Sequence, residues 1–255
     1  MKDNRRPLLF ISLLILVCAT PTFAIVNIET MRAKITSGFG GEAEFSASYS
    51  SGNTEALDVG YGLGIRFSTP SQAFFFLTRG ELREQADSRY AQKAFAHARY
   101  HWRPQSRLSL ESFVQLQYDE ALRLSSRFLA GGGLRINLAS SERSAVFAGL
   151  ALMYEREEFQ ESGGVQPPTN EVARFSSYLS FTLSSPRLKF SSITYFQPRV
   201  DEFADSRALN QSSINAPLSE NLALTVNFKL GYDGHPAPGV DKLDTRMNLG
   251  LKYTF

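Results

Sequence analysis

L-D-T-R-M-N-L-G-L-K-Y-T-F, residues 243–255, closes the chain. Leu243, Met247, Leu249, Leu251, Tyr253 and Phe255 share one parity. Asp244, Arg246, Asn248, Gly250, Lys252 and Thr254 share the other. Successive side chains of a strand point to opposite faces, so this stretch is a strand with one apolar and one polar face. A soluble edge strand alternates in the same way. The fold therefore depends on whether the rest of the chain repeats the pattern.

It does. From Gly41, the residues Ala43, Phe45, Ala47 and Tyr49 oppose Glu42, Glu44, Ser46 and Ser48. S-G-N-T-E-A at 51–56 interrupts with a Gly-Asn pair suited to a turn. Leu57, Val59, Tyr61, Leu63, Ile65 and Phe67 then alternate with Asp58, Gly60, Gly62, Gly64 and Arg66, over roughly the length a tilted membrane strand needs. The same reading continues at 73–85, 92–102, 108–119, 126–138, 145–155, 172–183, 188–197, 207–215 and 222–233. Arg207 to Asn215 is the least regular, because Leu209, Gln211 and Ser213 barely differ in character from their neighbours. Gly131, Gly132 and Gly133 mark a bend or a close approach within their strand.

The total is about twelve strands, an even number that brings both ends to the same side. The breaks sort into two sets. Those at 69–72, 103–107, 139–143, 184–187 and 216–221 are short. Those at 51–56, 86–91, 120–125, 156–170, 199–206 and 234–241 are generally longer and more polar. Short periplasmic turns and long external loops give this asymmetry. Tyr49, Tyr118, Tyr154 and Tyr232 fall toward one side, and Phe67, Trp102 and Phe255 toward the other, as two aromatic girdles. The expected fold is all-β: a transmembrane antiparallel up-and-down β-barrel over 41–255. A lipocalin-like barrel or sandwich is the soluble alternative, but it wants an apolar inner face.

The start of the chain reads differently. Lys2, Arg5 and Arg6 precede an apolar run from Leu8 to Val17, and Thr22-Phe23-Ala24 follows. This is the pattern of a cleaved secretory signal peptide over 1–24, with a periplasmic lead-in over 25–40. The single cysteine, Cys18, follows the bulky Val17, which argues against a lipid-attachment site. Beyond the signal the chain has no cysteine, so a disulfide framework and a cysteine nucleophile are excluded. Removing the signal's three basic residues and one acid from totals of 27 and 25 leaves 24 of each. A neutral balance gives no reason to expect a nucleic-acid partner. The expected partners are outer-membrane lipids, lipopolysaccharide and the outer-membrane assembly machinery; oligomeric state is not legible.

Few residues suggest chemistry. His97 and His101 share one face of a strand about 13 Å apart, too far to hold one metal ion by themselves. No motif selects a serine for a Ser–His hydrolase of outer-membrane lipids, so no catalytic residue, metal or cofactor is expected. The polar face carries the information. Glu44, Asp58, Arg66, Arg79, Glu81, Arg83, Lys93, Arg99, Glu111, Arg127, Arg135, Lys229, Arg246 and Lys252 all oppose the apolar stripe. Charges facing lipid near the midplane cost about 2–4 kcal/mol each, so these must face inward. Arg79, Glu81, Arg83, Arg99, Glu111, Arg127 and Arg135 are the candidate lumen-lining set. They either pair with one another and fill the lumen or line a water-filled pore; pairing depends on register and shear.

The strand-end pair Tyr253 and Phe255 is similar to the closing strand of bacterial outer-membrane barrels, where the terminal aromatic belongs to the assembly signal. F-G-G-E-A-E-F-S-A-S-Y-S-S-G-N-T (39–54) resembles the opening of the domain of unknown function family 481. Ser51-Gly52-Asn53-Thr54 is its most specific part, and the strand through Gly131–Gly133 ending R-I-N-L also fits. Members of this family carry the label YdiY-like, salt-induced outer membrane protein. The resemblance runs from about residue 39 to the terminus and is weaker in its second half. It implies a barrel in the bacterial outer membrane and brings no activity or catalytic residues with it. The functional expectation is a passive channel for ions or small polar solutes. A plugged structural or envelope-stress barrel and an outer-membrane lipid hydrolase are the alternatives.

Overall fold

The computed structural model describes residues 28–32, 37–50, 56–85, 88–103, 107–161, 168–236 and 241–255. The signal segment with Cys18, the S-G-N-T turn at 51–54 and the centre of the long loop (162–167) lie outside them. A short helix α1 (Glu29–Arg32) precedes twelve strands. These are β1 (Gly38–Ser50), β2 (Ala56–Ser68), β3 (Gln72–Gln85), β4 (Ser88–Trp102), β5 (Leu108–Asp119) and β6 (Leu124–Ser140). They continue with β7 (Ser144–Phe159), β8 (Asn170–Ser184), β9 (Lys189–Pro198), β10 (Ser206–Pro217), β11 (Leu222–Asp233) and β12 (Leu243–Thr254). Each strand pairs antiparallel with its neighbours in sequence, and β1 pairs with β12, so the sheet closes into a barrel. Within the lead-in span, residues 28–32 form α1, and α1 lies inside the wall.

Two ends can be told apart. Gly38, the β2–β3 turn and Phe255 mark the termini end; Gln85, Asp119 and Leu243 mark the far end. The burial pattern is inverted relative to a protein built for water. On β5, Glu111, Phe113, Gln115, Gln117 and Asp119 are buried, while Leu110, Val114 and Leu116 are exposed. The same holds around the wall, with Leu150 and Leu152 on β7 and Leu249 and Leu251 on β12 all facing out. A contiguous apolar belt of this size needs apolar surroundings. The soluble alternatives, which want the reverse, do not fit. Aromatics gather at both rims of the belt: Tyr154 and Tyr232 toward the far end, Phe39, Phe67, Trp102 and Phe255 at the termini end.

The strands run further than alternation alone indicated. The break expected at 156–170 is partly strand, since β7 extends to Phe159 and Glu157 pairs with Asn170. The break at 86–91 shrinks likewise, with Gln85 paired to Ser88. Beyond the apolar belt the outward face is polar as well, so the apolar–polar contrast fades in the sequence while the backbone ladder continues and Glu157 still points into the lumen. The register shift at Arg83/Glu84 falls in this zone. The glycine run proves to be a close approach. A side chain at Gly131 would strike the Phe113 ring and Met153, and one at Gly133 would strike the β7 backbone at Leu150 and Ala151.

Candidate functional site: the barrel lumen

The lumen divides into a filled side and an open side. On the filled side, β5 to β10 contribute Phe113, Leu129, Met153, Tyr178, Ile193, Tyr195 and Leu209, which form one buried cluster. Their alternation put them inward together with charges, and room for the rings comes from glycine. A side chain at Gly149 would collide with the Tyr178 ring. Two charged networks bracket this cluster.

The network at the termini end is built around α1. Glu29 accepts from both Nη1 and Nη2 of Arg135 at 2.8 Å, and from Arg32 at 3.0 Å and Ser180 at 3.2 Å. Arg32 in turn meets Glu111 at 2.7 Å, and Glu111 also takes Arg99 at 3.2 Å. Arg99 Nε donates to His97 Nε2 at 3.2 Å. An arginine only donates, so His97 is neutral there and carries its proton on Nδ1, toward Gln115 Oε1 at 3.0 Å. His101 stands 3.6 Å from Glu111. His97 thus has hydrogen-bond partners in the wall, while neither ring nitrogen of His101 makes a hydrogen bond. Ile28 and Met31 pack on Ala73, Phe75 and Leu77. The Met31 carbonyl accepts from Arg66 at 3.2 Å. A helix of one turn thereby reaches β2, β3, β5, β6 and β8 across the mouth.

The far-end network is denser. Arg207 meets Glu155 at 2.6 Å, Glu157 at 3.1 Å and Asp233 at 2.8 Å. Arg127 also pairs with Glu157. Arg174 meets Glu155 at 3.0 Å and Asp205 at 3.1 Å. Buried charges demand such pairing, because an ion left alone in a low-dielectric interior is costly.

The open side holds a cavity of about 180 Å³. By the space one water needs, it accommodates on the order of ten waters. Arg79, Glu81, Lys93, Lys229, Arg246 and Lys252 lie on its wall, facing the amides and hydroxyls of Gln117, Gln211, Ser213, Asn215 and Asn227. Arg79 pairs with Glu44 at 2.9 Å, and Asn227 donates to the same carboxylate at 2.8 Å. Glu81 is shared by Arg246 at 2.9 Å and Lys93 at 2.8 Å. Lys252 pairs with Glu42 at 2.7 Å.

The candidate lumen set therefore separates by place. Arg79 and Glu81 lie on the cavity, and Arg99, Glu111, Arg127 and Arg135 lie within the two networks of the filled side. Arg83 is paired with Asp58 in the ladder, and its side chain is outside the described residues. Tyr253 and Phe255 face outward with their rings 6.5 Å apart. Phe255 and Gly41 exchange backbone hydrogen bonds of 2.9 and 3.1 Å at the closing seam. Sequence reasoning missed Glu29, Arg32, Glu155, Glu157, Arg174 and Arg207. The last four share the parity of inward neighbours such as Met153, Tyr178 and Leu209, which was the available signal. Nothing local marks Glu29 and Arg32.

Fold and lumen together define a single-chain up-and-down β-barrel with an apolar outer wall and a charged interior. The chain belongs to the family described as "Protein of unknown function, DUF481", whose model matches residues 43–255. No curated protein matches it. Among solved structures it is similar to the NanC porin, with 10% identity, a TM-score of 0.50, and coverage of 84% of this chain and 98% of that one. The KdgM porin gives 10% identity, a TM-score of 0.43, and coverage of 85% and 99%. The translocator domain of the autotransporter NalP from Neisseria meningitidis gives 9% identity, a TM-score of 0.47, and coverage of 89% and 92%. At such identity the likeness concerns the fold.

Proposed function

We propose that this protein sits in the bacterial outer membrane with both termini periplasmic and serves as a passive channel for ions or small polar solutes. The apolar belt with aromatic rims supports the membrane placement. The observation that carries the channel reading is the charged cavity running beside a packed half-lumen, with α1 narrowing the termini end. Solutes cross along the wall formed by β11, β12 and β1 to β4. Purified protein in a planar bilayer tests this. Discrete conductance whose ion preference changes with Arg79→Glu or Arg246→Glu is the expected result. A correctly folded but silent barrel would sink it.

The ion pairs that hold α1 favour a second reading, a plugged barrel with a structural role in the envelope. The silent result would select it. The family label also implies induction by salt; transcript level across a salt shift tests that expectation.

A further inference from the structure

Charge balance differs between the two networks of the filled side. At the far end, Arg127, Arg174, Arg199 and Arg207 are matched by Glu155, Glu157, Asp205 and Asp233. At the termini end, the buried guanidiniums of Arg32, Arg99 and Arg135 meet two carboxylates, those of Glu29 and Glu111. Among the described residues no third acid pairs with them. Residues 25–28 and 33–41 contain no Asp or Glu, and Glu42 is paired with Lys252. Arg66 and Arg103 only add to the excess, since each donates to backbone carbonyls. A guanidinium without countercharge in a low-dielectric interior is costly.

A small cavity lies among these charges. It measures about 10 Å³, room for one water-sized species. Arg99, Glu111, Ser176, Tyr178 and Tyr195 line it. Its polar groups are mostly set to donate. Tyr195, 1% exposed, has a hydroxyl with no hydrogen-bond partner. The Ser176 oxygen accepts from Gln197 Nε2 at 3.1 Å, which leaves its own proton to give. Arg99 commits Nε to His97 and Nη1 to Glu111, which leaves Nη2. Glu111, the acid on this wall, already takes Arg99, Arg32 and the Tyr178 hydroxyl. A water would meet the hydroxyls but leave the third guanidinium without countercharge. An anion meets both, and the size of the cavity limits it to a single atom.

We propose that this cavity is a binding site for one monovalent anion of halide size, which completes the charge balance of the packed half-lumen. The site shares no residue with the open cavity, so it stands apart from conductance.

The test uses the full chain refolded in detergent, with sodium gluconate replaced stepwise by sodium chloride at constant ionic strength. An anion that binds the folded state alone stabilises it in a saturating, one-site manner, so the urea midpoint should rise and level off. Tyr195→Phe keeps the ring and removes the donor; it should shift the chloride titration to several-fold higher concentration. Arg143→Gln, an exposed charge on the termini rim, should leave the titration unchanged. Crystals grown in bromide should show one anomalous peak in contact with Arg99 and Tyr195. Equal stability in chloride and gluconate would overturn the proposal, as would a Tyr195→Phe titration identical to that of the unaltered chain. Bromide found only at exposed rim arginines, with a water in the cavity, would overturn it too.

Discussion

Arg207 shows what a lumen charge does for this fold. It enters from the start of β10 and meets three buried carboxylates at once, those of Glu155, Glu157 and Asp233. Arg207→Met would leave them facing one another with less countercharge, and breaking a buried pair this way costs about 3–5 kcal/mol. Urea unfolding of the refolded barrel should show a loss of that order. The pair Arg156–Glu158, 2.8 Å apart but with side chains 48% and 39% exposed, is the control. Arg156→Ala should change stability by about 1 kcal/mol or less. Glu29 offers a pH handle. Burial pushes its carboxyl up, but the guanidiniums of Arg135 and Arg32 pull it down and win, leaving it below its ordinary value of 4.5. A depressed folded value means that docking of α1 is fully stabilised above the ordinary carboxylate range and weakens as pH falls through the lowered value. Methyl-labelled methionine reads this by magnetic resonance. The Met31 methyl should move toward a solvent-exposed position as pH falls below the ordinary glutamate range. Met153, in the other cluster, should hold. A Met31 signal that holds until the Met153 signal is also lost, at whatever acid pH the wall unfolds, would contradict the assigned role of Glu29.

At the scale of elements, the closing strand joins sequence to assembly. β12 meets β1 over only a few residues, so each bond at that end counts for more than one in a full ladder. Phe255 adds two backbone hydrogen bonds to Gly41, and its ring lies where a Gly41 side chain would be. Deleting Phe255 should lower the heat-modifiable, folded fraction recovered from outer membranes. Gly41→Val should do the same by collision, and Phe255→Ala in that background should recover part of the loss. Equal folded fractions in all four chains would remove the seam from the account of assembly. The strands themselves were legible because lipid and lumen impose opposite demands on neighbouring residues, as Leu57 to Phe67 show. Legibility failed where that contrast ends. Arg156 to Phe159 are strand by backbone pairing alone, and Ser88 to Ala91 likewise. The charged faces were readable by parity, but their division into networks and cavity was not. That Arg246 meets Glu81, a residue of β3, is settled by the register of distant strands and the shear of the barrel.

The whole molecule is a wall whose interior is half packed core and half polar cavity, with one small helix set across an end. α1 is too short to hold its own structure in water, since a single turn fixes its dihedrals for little hydrogen bonding in return. What orders it is the lumen: Arg135 and Ser180 on one side, Glu111 and Arg66 on others, and the Phe75 and Leu77 side chains beneath. In the channel proposed above, the same contacts make α1 the constriction at the termini end of the path. Removing residues 28–32 should therefore widen the path without dissolving the wall, because the strand ladder does not run through α1. The deletion still exposes Arg135, Glu111 and Arg99 to water, which relieves rather than strands them, so a folded barrel is expected on a heat-modifiability gel. In planar bilayers the deletion should raise unit conductance several-fold over the intact chain, and Glu29→Gln should give brief openings to a similar level. Equal conductance from intact and deleted chains would show that α1 does not limit the path, and would move the constriction to the far-end network around Arg207.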